Sequence, residues 1–128
     1  MNEVSWLRVV IAAFLIEVGL TVTTVPVLLL VGEQAFVTAV PVACVVVPFV
    51  VAWLATRKLP AARMLHALLM GIVATVMYFA LVIGTASIAE AAAAYGLPLF
   101  IVVNGLRVVS SAAGGYVADR SRPVPSGT

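Results

Sequence analysis

Charge is what this sequence has least of. Only 9% of its 128 residues are Asp, Glu, Lys or Arg, against roughly 25% in soluble domains. With 64% of positions hydrophobic and a mean hydropathy of +1.23, a water-soluble fold is excluded. Cysteine is nearly absent as well. Cys44 stands alone inside an apolar run, which rules out an internal disulfide and a cysteine-based metal site; neither a metal nor a cofactor is expected. Basic residues are few, and five of the seven sit in two places: Arg57, Lys58 and Arg63 in one loop, Arg120 and Arg122 in the tail. That placement is a topology signal and not a nucleic-acid footprint.

What the sequence does have is long hydrophobic runs. A helix needs about 20 apolar residues to cross a bilayer, and the pattern predicts an all-α, four-helix transmembrane bundle with helices at about 6–31, 35–56, 62–85 and 97–117. These form one domain over 1–118, with no room for an extramembrane domain, and the Pro-, Ser- and Gly-rich stretch 119–128 is predicted to be a disordered tail. Gly32-Glu33-Gln34 is the first turn, and Arg57-Lys58-Leu59-Pro60 stops helix 2 by charge and by proline. The first run does not read as a cleaved signal peptide: it continues through Val31, is interrupted by Glu17, and offers no small-x-small cleavage site. Ser87-Ile88-Ala89-Glu90 has the form of a helix N-terminal capping box, so a short interfacial helix closed by Gly96 is expected between helices 3 and 4. Pro98 then suits the first turn of helix 4. There is no internal repeat.

Loops 1–2 and 3–4 carry only Glu33 and Glu90, whereas loop 2–3 and the tail carry the basic residues. By the positive-inside rule both termini and loop 2–3 are expected on the cytoplasmic side of the cell's inner membrane. Trp6 and Trp53 then fall near that interface and Tyr95 near the outer one.

Two full charges interrupt the apolar runs. Counted at 1.5 Å per residue, Glu17 is roughly 16 Å from the cytoplasmic end of helix 1 and Arg107 roughly 15 Å from that of helix 4. An isolated charge at mid-membrane costs about 2.5–3.5 kcal/mol even on the lenient insertion scale, so the economical expectation is a Glu17–Arg107 ion pair facing the bundle interior. Arg8 is the poorer partner: nine residues at 100° each put it on the opposite face of helix 1, where it is expected to snorkel to headgroups.

Helical spacing extends the pair into a polar stripe. Glu17, Thr21 and Thr24 share a face of helix 1; Gly71, Thr75 and Tyr78 share one of helix 3; Asn104, Arg107, Ser110 or Ser111, and Gly114 recur on helix 4. The expected tiers are Glu17, Thr75 and Arg107 at one depth, with Thr21, Tyr78 and Asn104 one turn further out. In helix 2, Pro41 and Pro48 each remove a backbone hydrogen bond, and Pro48 frees the Cys44 carbonyl near mid-membrane.

The pair admits two roles, a proton- or substrate-binding carboxylate controlled by its buried partner or a structural ion pair that fixes helix register. His66 reads as an interfacial histidine near Arg63. Ser110 and Ser111 lie about a turn deeper than His66, and no nucleophile or oxyanion motif accompanies them; an enzyme is not expected. The small residues Gly105, Ser111, Gly114 and Gly115 offer a surface for close helix approach, first within the bundle and, as the rival reading, across a homodimer. Cys44 and the four methionines read as packing residues.

At Ile16-Glu17-Val18-Gly19-Leu20-Thr21 the chain resembles the first helix of the small multidrug resistance transporters, four-helix proteins of similar length. In that family a membrane-embedded glutamate within an Ala-Glu-Val-Ile-Gly-Thr type motif exchanges protons for cationic drugs. The resemblance implies that role for Glu17, with Thr21 beside it. It spans six residues; helices 2 and 3 lack the family's aromatic pattern, Arg107 has no counterpart, and the charge bias opposes dual topology. In overall pattern the chain looks more like small bacterial four-helix membrane proteins that end in a Gly-rich helix followed by arginines, which brings no activity with it. The leading expectation is a non-enzymatic structural or accessory subunit, or a homo-oligomer, held by Glu17–Arg107, with the lipid bilayer and a homodimer or larger membrane complex as partners. The alternative is a small proton-coupled transporter with Glu17 as the exchanging carboxylate.

Overall fold

A computed structural model describes residues 4–85, 89–90, 93 and 96–123. Four helices make up its frame: α1 (Trp6–Leu30), α2 (Glu33–Thr56), α3 (Arg63–Thr85) and α4 (Leu97–Arg120). Each is long and apolar enough to cross a membrane.

Local chemistry sets the ends. Gly32, at φ +114°, turns the chain between α1 and α2 where a side chain would be strained. Because this one residue makes the turn, Glu33 and Gln34 belong to the first turn of α2, not to the loop, and the Glu33 carboxylate sits where the helix dipole favours a negative charge. Gly96, at φ +78°, and Pro98 in the first turn start α4 as the sequence leads one to expect. Inside α1, Pro26 interrupts the hydrogen-bond ladder, and the neighbouring Thr23 and Thr24 satisfy their own hydroxyls by donating to the carbonyls of Gly19 (2.8 Å) and Leu20 (2.6 Å).

α1 and α4 each pack against both α2 and α3, and α2 and α3 also touch, so α1 and α4 occupy opposite corners of a rhombus. The buried interior is built of small side chains, among them Ala12, Ala13, Ala52, Ala67 and Ala74, with Ile16 and Met70 filling the wider gaps. Outside, Phe14, Leu29, Leu30 and Val109 are exposed, the apolar-outward pattern of a bundle solvated by lipid. In such a solvent, close van der Waals contact between backbones takes over from the hydrophobic effect. Gly114 on α4 lies against the Phe49 carbonyl of α2. Gly115 lies against Ala67 of α3. Gly71 of α3 faces α4, where an added methyl would stand 2.9 Å from both Val108 Cα and Ser111 Cβ.

Two expectations need correction. Gly105 makes no close approach: it is exposed, with nothing within 4 Å of a methyl added there, because nine residues at 100° place it opposite Gly114. The stretch 119–128 is not a tail from its first residue: α4 runs to Arg120, and Arg122 donates through Nη2 to the Pro60 carbonyl at 2.7 Å while its Nε lies 3.4 Å from Asp119. Pro60 has no N–H of its own to offer, and its carbonyl, within the α2–α3 connection, gives the arginine an acceptor that ties this connection to the end of α4. In the segment expected to hold a short interfacial helix, Ala89, Glu90 and Ala93 are helical, and its remaining residues, Ser87 and Tyr95 included, lie outside the described residues.

Candidate functional site

Arg107 points from α4 into the centre of the rhombus and meets Glu17 on α1. Its Nη1 lies 2.6 Å from Glu17 Oε1, and the two side chains are only 7% and 12% exposed. The guanidinium also lies over the ring of Tyr78 on α3, 4.2 Å from its centroid, and Cys44 of α2 lines the same cavity. All four helices thus contribute one group to a single cluster. Pairing the charges and stacking the cation on an aromatic face are the two ways a guanidinium is tolerated in so apolar an interior.

A cavity of about 270 Å³ adjoins the pair, lined by Glu17, Thr21, Thr24, Cys44, Tyr78 and Arg107 together with Leu20, Phe36, Val40, Leu81 and Val82. Most of these residues lie further along α1 and α3, and earlier in α2, than the pair itself, so the cavity runs from mid-bundle toward the end that carries the α1–α2 turn. A second depression, a groove of about 580 Å³ between α1 and α3, reaches Glu17 from outside past Phe14, Val18 and Met77. Glu17, Thr21 and Leu81 line both depressions.

The residues singled out in the sequence divide into two groups. Glu17, Thr21, Tyr78 and Arg107 are brought together around the cavity. Thr75 and Asn104 are not: Thr75 donates to the Gly71 carbonyl at 2.9 Å and Asn104 to the Phe100 carbonyl at 2.8 Å, each turned back on its own helix. Side-chain direction explains the exchange of Thr75 for Tyr78. Cβ bonds tilt toward the helix N-terminus, and α3 and α4 are antiparallel. Arg107 leans toward one end of the bundle and Tyr78 toward the other, and they meet although their backbones are a turn apart.

Cys44, expected only to pack, lines the cavity. Its depth, some twelve residues from the end of α2, matches that of Glu17, and the same count applied to α2 picks it out. Ser111, Arg107 and Asn104 each retain a buried polar atom (Oγ, Nε and Oδ1) without a hydrogen-bond partner, so the polar seam on α4 is only partly satisfied.

At the opposite end, His66, in the first turn of α3, is buried within the bundle, 3% exposed. Its Nε2 accepts from the Ser5 backbone N–H at 3.1 Å, which leaves the proton on Nδ1 to be donated to the Ala62 carbonyl at 2.8 Å. The ring joins the start of α1 to the start of α3. Arg63, expected beside it, instead donates to the carbonyls of Leu59 and Ala118, tying the α2–α3 connection to the last turn of α4. Arg8 is exposed and donates to the Ala55 carbonyl at 3.2 Å.

Four helices of membrane-spanning length around an internal ion pair define a multi-pass helical membrane protein. No family model matches the chain, and neither a curated protein nor a solved structure matches it. The likeness to the small multidrug resistance transporters is thus carried by 16–21 alone.

Proposed function

We propose that this is a small bacterial inner-membrane protein, non-enzymatic, acting as a structural or accessory subunit or as a homo-oligomer, in which Glu17–Arg107 locks the helices into one arrangement. The observation that carries this reading is the position of the pair. It links α1 to α4, the two helices on opposite corners, and Tyr78 and Cys44 from the other two line the cavity beside it. Removing either charge leaves the other alone in the interior, which costs far more than the pair itself contributes.

Both termini and the α2–α3 connection are assigned to the cytoplasm, supported by six of the seven basic residues at that end and by Glu33 and Glu90 at the other. Cysteines placed singly at position 33 or 58 in a Cys44→Ser background test this: a membrane-impermeant thiol reagent applied to whole cells labels position 33 and spares position 58, and the reverse pattern overturns the orientation.

A second reading has one observation in its favour. Glu17 lines two adjoining depressions, which supports access to it, as a proton-coupled small transporter needs for a carboxylate that exchanges its ligand. Proton-driven uptake into proteoliposomes that is lost in a well-folded Glu17→Gln protein decides for the transporter and against the subunit; no uptake by the native protein, with Glu17→Gln impaired in assembly, decides the other way.

A further inference from the structure

The end of the bundle that carries Trp6 and Trp53 also carries Arg8, Arg57, Lys58, Arg63, Arg120 and Arg122. Arg63 is held by two backbone carbonyls, and Arg122 by Pro60 and Asp119. Arg120 lies over the Tyr116 ring and Arg57 over Trp53. Arg8 is exposed and spends one N–H on the Ala55 carbonyl; among the described residues no carboxylate pairs with it.

Arg8 also stands at the head of a groove. Between α1 and α2 runs a depression of about 310 Å³ lined by Leu7, Arg8, Ile11, Ala12, Leu15 and Ala55. It exists because Ala12 and Ala55 are too small to fill it. Arg8, Ile11, Ala12 and Leu15 follow one another at helical spacing on a single face, so the groove has a cationic head and an apolar run of about 10 Å below it. Arg57 and Lys58, two and three residues beyond Ala55 at the end of α2, add positive charge to the same end of the bundle.

We infer that this groove is a binding site for an anionic phospholipid, its phosphate on Arg8 within the positive field of the basic residues at this end, and one acyl chain laid along Ile11 and Leu15. Charge complementarity identifies the headgroup, and basic pockets between membrane helices recognise such headgroups in this way. The run of apolar side chains beneath the cation identifies a lipid in preference to a free phosphate, which has nothing to place there. The site is remote from Glu17–Arg107, and the inference stands whichever role that pair has.

The two tryptophans, both at this end, serve as native probes. The protein is reconstituted into phosphatidylcholine vesicles containing a small fraction of lipid brominated in its acyl chains, either phosphatidylglycerol or phosphatidylcholine, and tryptophan quenching is compared at equal mole fraction. The expected result is an enrichment of phosphatidylglycerol at the tryptophans of about fivefold, the effect of one surface cation. Arg8→Gln abolishes that preference, and Ala55→Leu, which fills the groove without altering charge, abolishes it as well. Excess inorganic phosphate leaves it in place. Equal quenching by the two lipids overturns the site. Preference that survives Ala55→Leu reduces it to diffuse surface attraction, and preference erased by inorganic phosphate reduces it to a phosphate contact without a chain; either outcome overturns the lipid assignment. Helical content by circular dichroism and a monodisperse elution profile qualify each variant before the comparison.

Discussion

Arg107 and Glu17 meet at 2.6 Å between two helices whose backbones pack on α2 and α3 in place of each other. The guanidinium crosses the middle of the bundle to make this contact, so it acts on the whole helix arrangement and not on one interface. The other groups around it sort themselves by what they do for that cation.

Tyr78 supports the cation with its ring face and not with its hydroxyl. Tyr78→Phe keeps the face and is expected to change stability by under about 0.5 kcal/mol, whereas Tyr78→Leu loses it at a cost of about 1–2 kcal/mol. Unfolding titrations with SDS in mixed micelles measure both. Equal losses would mean that the ring contributes bulk alone.

The glycines differ sharply in what they permit. Gly114→Ala drives a methyl into the Phe49 carbonyl, and Gly71→Ala puts one 2.9 Å from Val108 Cα. Backbone on the far side cannot yield cheaply, so each is expected to cost about 1–3 kcal/mol. Gly105→Ala meets nothing and removes a flexible residue from a helix interior, for an expected gain of about 0.5–1 kcal/mol. The same titrations read the series, and a costly Gly105→Ala would point to a partner helix on that face.

How much of this was legible beforehand depends on which atoms were being counted. The depths of Glu17 and Arg107 follow from Cα rise, and the pair needed nothing more. Tyr78 in place of Thr75 did not follow, because the meeting of two long side chains depends on the tilt of Cβ in antiparallel helices, which Cα depth ignores. Cys44 had the right depth but no charge to draw attention to it. For the small residues of α4, periodicity separates Gly105 from Gly114 by half a turn of the helix, and reading the run as one surface overlooked that. The docking of Arg122 on Pro60 could not be read at all, since it depends on where two connections lie in space. Orientation rests on charge placement alone.

Ala62 holds φ at +53°, a left-handed conformation that costs an L-residue about 1–2 kcal/mol. Ala62→Gly is therefore expected to raise stability by about 1 kcal/mol while leaving the carbonyl that His66 bonds in place. A lower unfolding midpoint for Ala62→Gly would show that the turn is held by the alanine methyl and not in spite of it.

His66 anchors the first turn of α1 through Ser5. Replacing it with alanine strands the Ser5 N–H, while the Ala62 carbonyl keeps the backbone N–H of residue 66; the expected loss is about 1–3 kcal/mol, and the Ser5 amide should exchange with deuterium markedly faster while amides around Glu17 do not. Uniform acceleration along α1 would assign His66 to the core at large and not to the N-terminal anchor.

The most direct measurement is a double-mutant cycle on the pair, with Glu17→Leu, Arg107→Met and the two combined, each unfolded in SDS. If Glu17–Arg107 is the lock, either single change strands a buried charge and costs about 3–5 kcal/mol, while the double change, now apolar on both sides, returns to near native stability. Single losses that simply add in the double variant would contradict it: the two residues would then be stabilising the bundle separately, and the 2.6 Å contact would not be what joins α1 to α4.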